Sequence, residues 1–145
     1  MAEDRDAPWT RGRFRYTLAI PTRWRDQDAY GHVNNVVYYS LFDTAVNTHL
    51  VTEGGLDIRH GPVIGLVVET RCQFLRELHF PGVVDAGLLV TRLGRSSVTY
   101  ELGLFRDGEA DAAARGHFVH VYVDRASRRP VPIPGPIRAA LQRLL

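Results

Sequence analysis

The sequence lacks several features that would place it in a specialised class of protein. Its 145 residues include one cysteine, Cys72, which excludes an internal disulfide framework and a cysteine-based zinc site. No run of about 18 apolar residues occurs, so we expect no membrane-spanning helix. The first twenty residues open with acids and not with a basic stretch before an apolar one, so we expect no secretory signal. A cytoplasmic location is therefore the expectation.

Lysine is absent as well, and all 18 basic residues are arginine. With 16 acidic residues, the formal net charge is +2. The arginines are interleaved with acids along most of the chain, which is typical of a solvated face. We therefore expect no nucleic-acid partner. The 45% of hydrophobic residues and 23% of charged residues are the balance of an ordinary globular domain. A domain of this length can support its own core without disulfides or metals.

The first half of the chain predicts a tail, a strand and a long helix. Residues 1–13 are polar and charged, so we expect a flexible N-terminal tail before a single domain over 14–145. Alternating apolar and polar residues predict a strand over 14–25, in which Pro21 indicates an edge position or a bulge. Residues 36–50 form a broad apolar surface at helical spacing, which predicts a helix buried on most sides.

Flanking residues set the limits of this helix, and the periodicity then changes to two. Asn34 or Asn35 is the candidate N-cap, and Gly54 with Gly55 ends the helix. Strands are predicted over four segments, 63–78, 83–94, 96–107 and 112–124. A short closing helix follows Gly135. Short connections favour an antiparallel meander, and a sheet facing one buried helix predicts an α+β domain in which the sheet curls around that helix.

The segment RDQDAYGHVNN, residues 25–35, carries the chemistry. Unpaired N–H groups in the first turn of a helix can hold a developing oxyanion. An acid on the preceding loop can act beside it as a general base or as a nucleophile. The alternative is an Asp-rich turn followed by an ordinary asparagine cap.

The segment RDQDAYGHVNNVVYYSLFDTA resembles the D-x-D-x-x-G-H-V-N-N-x-x-Y signature of the 4-hydroxybenzoyl-CoA thioesterase-like branch of the hotdog-fold superfamily. Later segments, among them VVETRCQFLREL and GRSSVTYELGLF, are also similar to strands of that family, so the likeness spans roughly residues 14–140. The resemblance implies a hotdog fold, in which an antiparallel sheet wraps a long central helix. It also implies a homodimer with active sites at the subunit interface.

The resemblance implies roles for residues of the motif. Asp28 would be the catalytic base or nucleophile, and the backbone N–H of Asn35, seven residues later, would be the oxyanion donor. Asp26 would be structural. Gly31 and His32 within the motif would be substrate-binding residues.

Further residues outside the loop complete the expected substrate contacts. Tyr39, with Tyr38 and Phe42, would line the acyl pocket. At the turn between two strands, the resemblance implies that Arg95 contacts the CoA phosphates and that Ser96 and Ser97 contact the pantetheine; a bidentate guanidinium suits phosphate. The alternative for Arg95 is a hairpin arginine in water. We expect no metal and no cofactor apart from the CoA of the substrate.

Three other features give alternatives within the same chain. Another branch of the family places its catalytic acid on the central helix, where Asp43 is the nearest candidate. Cys72 lies in a predicted strand with no motif around it, so it is interpreted as a small buried hydrophobe. His117 and His120 are three apart on a strand, which puts them on opposite faces and makes them a poor metal pair.

The sequence thus predicts an acyl-CoA thioesterase, which hydrolyses the thioester of an acyl-CoA or acyl-carrier protein to a free acid and a thiol. Two alternatives stay open, a hotdog hydratase or dehydratase of enoyl-thioesters and a non-catalytic acyl-CoA-binding protein. The apolar segment Gly65–Glu69 predicts edge-to-edge pairing of two copies, with further pairing into a homotetramer left open. Each site would then combine Asp28 and Asn35 with residues near Gly61–Leu66 of the other copy.

Overall fold

The computed structural model describes residues 7–145, which form one antiparallel sheet and two α-helices. The strands are β1 (Tyr16–Pro21), β2 (Val63–Phe74), β3 (Val83–Leu93), β4 (Ser97–Arg106) and β5 (Ala114–Asp124), and the helices are α1 (Asn35–Thr52) and α2 (Gly135–Gln142). These elements lie where the hydrophobic periodicity predicts them, although β1 and β2 each end four residues before the predicted limit. The α+β class is therefore confirmed. No helix within residues 7–145 is long and apolar enough to cross a membrane.

The strand order is β1-β3-β4-β5-β2, and every neighbouring pair is antiparallel. Strands β3, β4 and β5 form a meander, but β2 pairs with β5 at the far edge, so the predicted meander is wrong at β2. The reason is the connection 75–82, which is a loop rather than a tight turn. Leu75 N–H bonds to Ala113 at one end of this loop, and Gly82 accepts a bond from Thr22 at the other. The loop thus spans the end of the sheet, and Pro21 lies on an edge strand as predicted.

Helix α1 packs on the inner face of the sheet. Its surface has a buried apolar side and an exposed polar stripe, as predicted. The buried side chains recur at helical spacing and face the strands, and they are Tyr38, Leu41, Phe42, Ala45, Val46, His49 and Leu50. The polar side chains of Ser40, Asp43 and Thr44 are exposed on the opposite side. The helix ends at Thr52, and the chain reverses through Gly55, whose φ of +66° suits glycine.

Gly116 on β5 leaves room for the ring of Phe42 on α1. A Cβ at this position would stand 2.6 Å from Cζ of the fully buried Phe42 ring. We therefore expect Gly116→Ala to lower the free energy of unfolding by about 1–3 kcal/mol, because an overpacked core must shift its side chains. Chemical denaturation measures the change. Gly12→Ala, where the added Cβ meets nothing within 4 Å, is the control. Equal stabilities for the two variants would contradict this packing.

Residues 9–13 of the expected flexible tail contact other parts of the chain, while residues 1–6 lie outside the part of the chain that the structure describes. Thr10 forms an isolated bridge with Asp111, and the guanidinium of Arg13 pairs with Glu101 and lies 4.4 Å from the centre of the Trp9 ring. Asp111 and Glu101 stand far along the sequence, so local composition does not reveal these two contacts. The segment is held on the outer face of the sheet by charge pairing and cation–π contact.

Candidate active site

The loop before α1 is fixed at both ends through Asp26. Its carboxylate is 2% exposed and accepts the backbone N–H of Arg23 at 2.7 Å and the Arg23 guanidinium at 2.8 Å. Its carbonyl accepts the N–H of Asn34 at 2.8 Å. A buried carboxylate is tolerated only when it is paired and hydrogen-bonded in this way. Asp26 therefore acts on the shape of the loop, in agreement with the structural role expected for it.

A tight turn presents the Asp28 side chain. Gly31 donates its N–H to the Asp28 carbonyl at 3.2 Å, and its φ of +83° is one that side-chain-bearing residues rarely adopt. The Asp28 N–H bonds to the His32 carbonyl at 3.0 Å, which closes the turn. Tyr30 N–H bonds to Oδ1 of Asp28 at 2.8 Å. The second oxygen, Oδ2, accepts no hydrogen bond from the described residues and is free for chemistry.

The start of α1 offers a backbone donor beside this turn. Asn34 is the N-cap, and its side chain accepts the N–H of Val36 at 3.0 Å. Its carbonyl accepts the N–H of Val37 at 2.9 Å. The Asn35 N–H, between these two, has no acceptor within residues 7–145. An unpaired N–H at a positive helix terminus can bind a developing negative charge.

Asp28 and Asn35 line one cleft of about 390 Å³. The wall opposite the loop is the segment that follows β2, and the lining consists of Asp28, Tyr30, His32, Val33, Asn35, Tyr38, Phe74, Leu75, Arg76 and Glu77. The structure thus brings together Asp28, His32 and Asn35, three of the residues singled out by the motif. Gly31 shapes the turn from outside this lining.

Tyr38 anchors the wall of the cleft. Its hydroxyl donates to the Arg76 carbonyl at 3.3 Å and accepts the Leu78 N–H at 3.1 Å, while its ring meets Phe74 edge-on at 4.9 Å. Burial is the main cause that raises the pKa of Tyr38, so the neutral phenol persists. Tyr38 therefore holds the segment 76–78 in place and lines the cleft.

The predicted CoA contacts lie elsewhere in the chain. Arg95 and Ser96 lie between β3 and β4, Ser97 is the first residue of β4, and none of the three lines the Asp28 cleft. The Ser96 carbonyl accepts Tyr122 N–H at 2.7 Å, and the Ser97 carbonyl accepts Gly94 N–H at 2.8 Å. The Arg95 side chain is exposed and makes no ion pair or hydrogen bond with the part of the chain that the structure describes.

Three other singled-out residues lie in a second cleft of about 470 Å³. Tyr39 lines it together with Cys72 on β2 and His117 on β5. A single chain therefore does not place Tyr39 beside Asp28. Burial raises the pKa of the Cys72 thiol to about 12, which disfavours the thiolate that a nucleophilic cysteine needs.

The acid on α1 and the strand histidines have separate surroundings. Asp43 is exposed, accepts a bond from the Asn47 amide at 3.1 Å and lines a third cleft away from Asp28. His120 is 2% exposed on the inner face of β5, whereas His117 lies on the outer face, 3.4 Å from Glu69. The predicted opposition of the two histidines is confirmed. Within residues 7–145, no group of three or more His, Cys, Asp or Glu side chains is arranged to hold a metal ion.

Sequence reasoning missed, among other residues of the cleft, the two whose side chains lie next to His32. Tyr30, 85% exposed, fixes Oδ1 of Asp28 through its N–H and stacks its ring over His32 at 6.2 Å between centroids. Glu77 lies 3.6 Å from His32. Tyr30 stood within the motif as a variable position, and the contact of Glu77 joins parts of the chain 45 residues apart, so no local signal points to either.

The chain is similar to known proteins over most of its length. A family model described as the thioesterase-like superfamily matches residues 22–141. The crystal structure of the PA5185 protein from Pseudomonas aeruginosa strain PAO1 is similar, with 53% identity, a TM-score of 0.94 and coverage of 95% of this chain and 96% of that chain.

Two further solved structures are similar at lower identity. The PA2801 protein from Pseudomonas aeruginosa has 32% identity and a TM-score of 0.83, with 88% of this chain and 98% of that chain covered. The BH1999 gentisyl-coenzyme A thioesterase has 27% identity and a TM-score of 0.74, with 87% and 99% covered. No curated protein matches the sequence. The sheet wrapped around α1 is the hotdog fold, and the chain belongs to the thioesterase-like superfamily.

Proposed function

We propose that the protein hydrolyses the thioester of an acyl-CoA or an acyl-carrier protein to a carboxylic acid and a free thiol. One observation carries the proposal: an uncommitted oxygen of the Asp28 carboxylate and the unpaired N–H of Asn35 line the same cleft. Thioester hydrolysis uses two such groups, a base or nucleophile near the carbonyl carbon and a hydrogen-bond donor for the carbonyl oxygen.

In the proposed reaction, the oxygen of the thioester carbonyl accepts a hydrogen bond from the Asn35 N–H. Asp28 Oδ2 then takes a proton from a water that attacks the carbonyl carbon, or attacks that carbon itself. In both cases a tetrahedral oxyanion forms, and the Asn35 donor stabilises it more than it stabilises the uncharged carbonyl. The carbon–sulfur bond breaks and the thiolate leaves with the electron pair. Where water attacks, the acid forms directly; where Asp28 attacks, a water then hydrolyses the acyl–Asp28 anhydride and releases the acid. A cleft edged by Tyr30, Tyr38 and Phe74 suits the acyl group.

CoA is the thiol carrier that the similar structures favour, because one of them is a gentisyl-coenzyme A thioesterase. Arg95, Ser96 and Ser97 are the residues proposed to bind it. An exposed guanidinium without a carboxylate partner in the described chain is available for a phosphate. Since this turn is not part of the Asp28 cleft of the same chain, the proposal includes a second subunit.

The second subunit is proposed to pair along β2. This strand is at the edge of the sheet, and Leu66, Val67 and Val68 are 37%, 46% and 59% exposed. An apolar edge with unpaired backbone groups favours pairing with an identical strand across a twofold axis. Each Asp28 cleft would then border residues near Gly61–Leu66 of the partner, and dimers could pair again into a tetramer. Light scattering should give a dimer or tetramer; an active monomer near 16.3 kDa would overturn this arrangement.

The activity is tested by thiol release from a panel of acyl-CoAs, with aromatic, short aliphatic and long aliphatic acyl groups, and from matching acyl-carrier proteins. Hydrolysis of at least one class is the expected result. An enoyl-CoA converted to a 3-hydroxyacyl-CoA, without thiol release, would identify a hydratase. Stoichiometric binding of acyl-CoA without turnover would identify a binding protein. Either of these outcomes rejects the proposed hydrolase.

A further inference from the structure

The imidazole of His32 stands between two carboxylates. Its Nδ1 lies 3.8 Å from Oδ2 of Asp28, and its Nε2 lies 3.6 Å from Oε1 of Glu77. Each ring nitrogen therefore faces one acid. An imidazole can accept a proton at one nitrogen while it gives up another from the opposite nitrogen.

The geometry at Asp28 selects the oxygen that meets the imidazole. Oδ1 is held by the N–H of Tyr30 at 2.8 Å, so Oδ2, the free oxygen, is the one that faces His32. The Tyr30 ring lies over the imidazole with an angle of 19° between the planes, which limits the tilt of the ring. Both nitrogen–oxygen distances exceed hydrogen-bond length, and one bridging water or a small rotation closes each of them.

The three side chains form a path of increasing exposure. The side chain of Asp28 is 19% exposed, that of His32 is 30% exposed and that of Glu77 is 62% exposed. The path thus begins at the candidate base and ends in solvent. A nearby carboxylate such as that of Glu77 favours a positive charge on the imidazole during transfer.

The other charged groups near the path do not interrupt it. The guanidinium of Arg76 also borders the cleft, but it pairs with Glu109 at 3.0 Å and with Asp111 at 3.6 Å. His79 lies 3.9 Å from the second oxygen of Glu77 and does not line the cleft. Oε1 of Glu77 is therefore available to accept a proton from Nε2 of His32.

We propose that His32 and Glu77 are positioning residues that return the proton of Asp28 to solvent after each turnover. The inference rests on the proposed function, with Asp28 acting as the base. Water loses one proton to Asp28 Oδ2 and adds to the carbonyl carbon, the carbon–sulfur bond breaks, and the thiolate leaves with the electron pair. Asp28 then gives its proton to Nδ1 of His32, while the proton on Nε2 passes to Glu77 or to water. Asp28 is ionised again, Glu77 releases its proton to water, and His32, left with its proton on Nδ1, regains the Nε2–H form by proton exchange with water.

His32→Gln tests the relay, because glutamine keeps a polar side chain but cannot pass a proton through its own atoms. With the best thioester of the panel, we expect the steady-state kcat to fall about 10- to 100-fold, which is smaller than the roughly 10²- to 10⁴-fold effect of losing a general base itself, while KM stays within about twofold. Added imidazole buffer should restore the rate in proportion to its concentration. The solvent deuterium isotope effect should rise, because proton return becomes limiting. A merely structural role of His32 moves neither of these last two readouts.

Glu77→Gln is the second variant, since an exposed side chain can be changed without loss of folding. We expect a three- to tenfold fall in kcat, with the same response to buffer. His79→Gln is the matched control, because His79 is near the same glutamate but outside the cleft, and we expect its rate to equal that of the wild type. If His32→Gln and Glu77→Gln both turn over at the wild-type rate without a buffer effect, the relay is rejected while the hydrolase stands. A wild-type protein that hydrolyses no thioester rejects the proposed function itself.

Discussion

Replacement of Asp28 by asparagine should reduce thioester hydrolysis by roughly 10³-fold, which is the order of effect expected when a general base is lost. Asparagine keeps the shape of the side chain, and its carbonyl oxygen can still accept the Tyr30 N–H that Asp28 accepts at 2.8 Å. The change therefore removes the charge and the basic oxygen with little effect on the turn. We expect kcat to carry the loss and KM to stay within a few-fold, because the cleft wall is untouched. Thiol release measured at saturating substrate gives the comparison.

Asp43→Asn is the contrasting variant, because Asp43 was the other candidate acid. It lies exposed on α1, bonded to Asn47, and lines a different cleft. We expect its activity to stay within about twofold of the wild type, with the melting temperatures of both variants as the check on folding. Loss of activity in Asp43→Asn and full activity in Asp28→Asn would move the chemistry to the helix and contradict the loop assignment.

The loop could be predicted from the sequence because its structure is local. Asp28, Gly31 and Asn34 lie within seven residues, and the turn, the positive φ and the helix cap each depend on residues in the same stretch. Such interactions leave a signature in spacing and residue type. The helix could be predicted for the same reason, since one face of α1 is apolar along its whole length.

Contacts between distant parts of the chain could not be predicted in this way. Periodicity gives each strand but not its neighbour, so the placement of β2 beside β5 required the path of the loop 75–82. Glu77 reaches the cleft on that same loop, and its contact with His32 follows from the topology rather than from any motif. The separation of Arg95 from the Asp28 cleft is a third case, because the resemblance names both but does not say which subunit supplies each.

The burial of His120 leads to a second prediction, that the stability of the protein depends on pH. The side chain is 2% exposed among the rings of Tyr100, Phe118 and Tyr122, and its Nδ1 has no hydrogen-bond partner within residues 7–145. Burial lowers the pKa of His120 to about 4, because a charged imidazole there would lose its hydration without gaining a partner.

The direction in which stability changes with pH follows from proton binding in the folded and the unfolded states. Between the ordinary pKa of about 6.5 and the lowered pKa of about 4, the unfolded chain binds a proton at His120 that the folded chain does not bind. Stability is therefore fully present above pH 6.5 and is lost as the pH falls toward 4. At pH 5.0 the loss should be about 2 kcal/mol relative to pH 7.5. His49, whose pKa is also lowered chiefly by burial, acts in the same direction.

Urea denaturation at pH 7.5 and pH 5.0, at one fixed protein concentration, measures the effect. Carboxylates also contribute to acid sensitivity, so the informative quantity is the difference between variants. In His120→Phe, an aromatic ring without a titrating group takes the place among Phe118 and Tyr122, and about 2 kcal/mol of the pH-dependent loss should disappear. His117→Gln, on the outer face of the same strand, should keep the full loss. Equal pH dependence in the wild type and His120→Phe would show that His120 carries no share of it, whatever the stability of each protein at neutral pH.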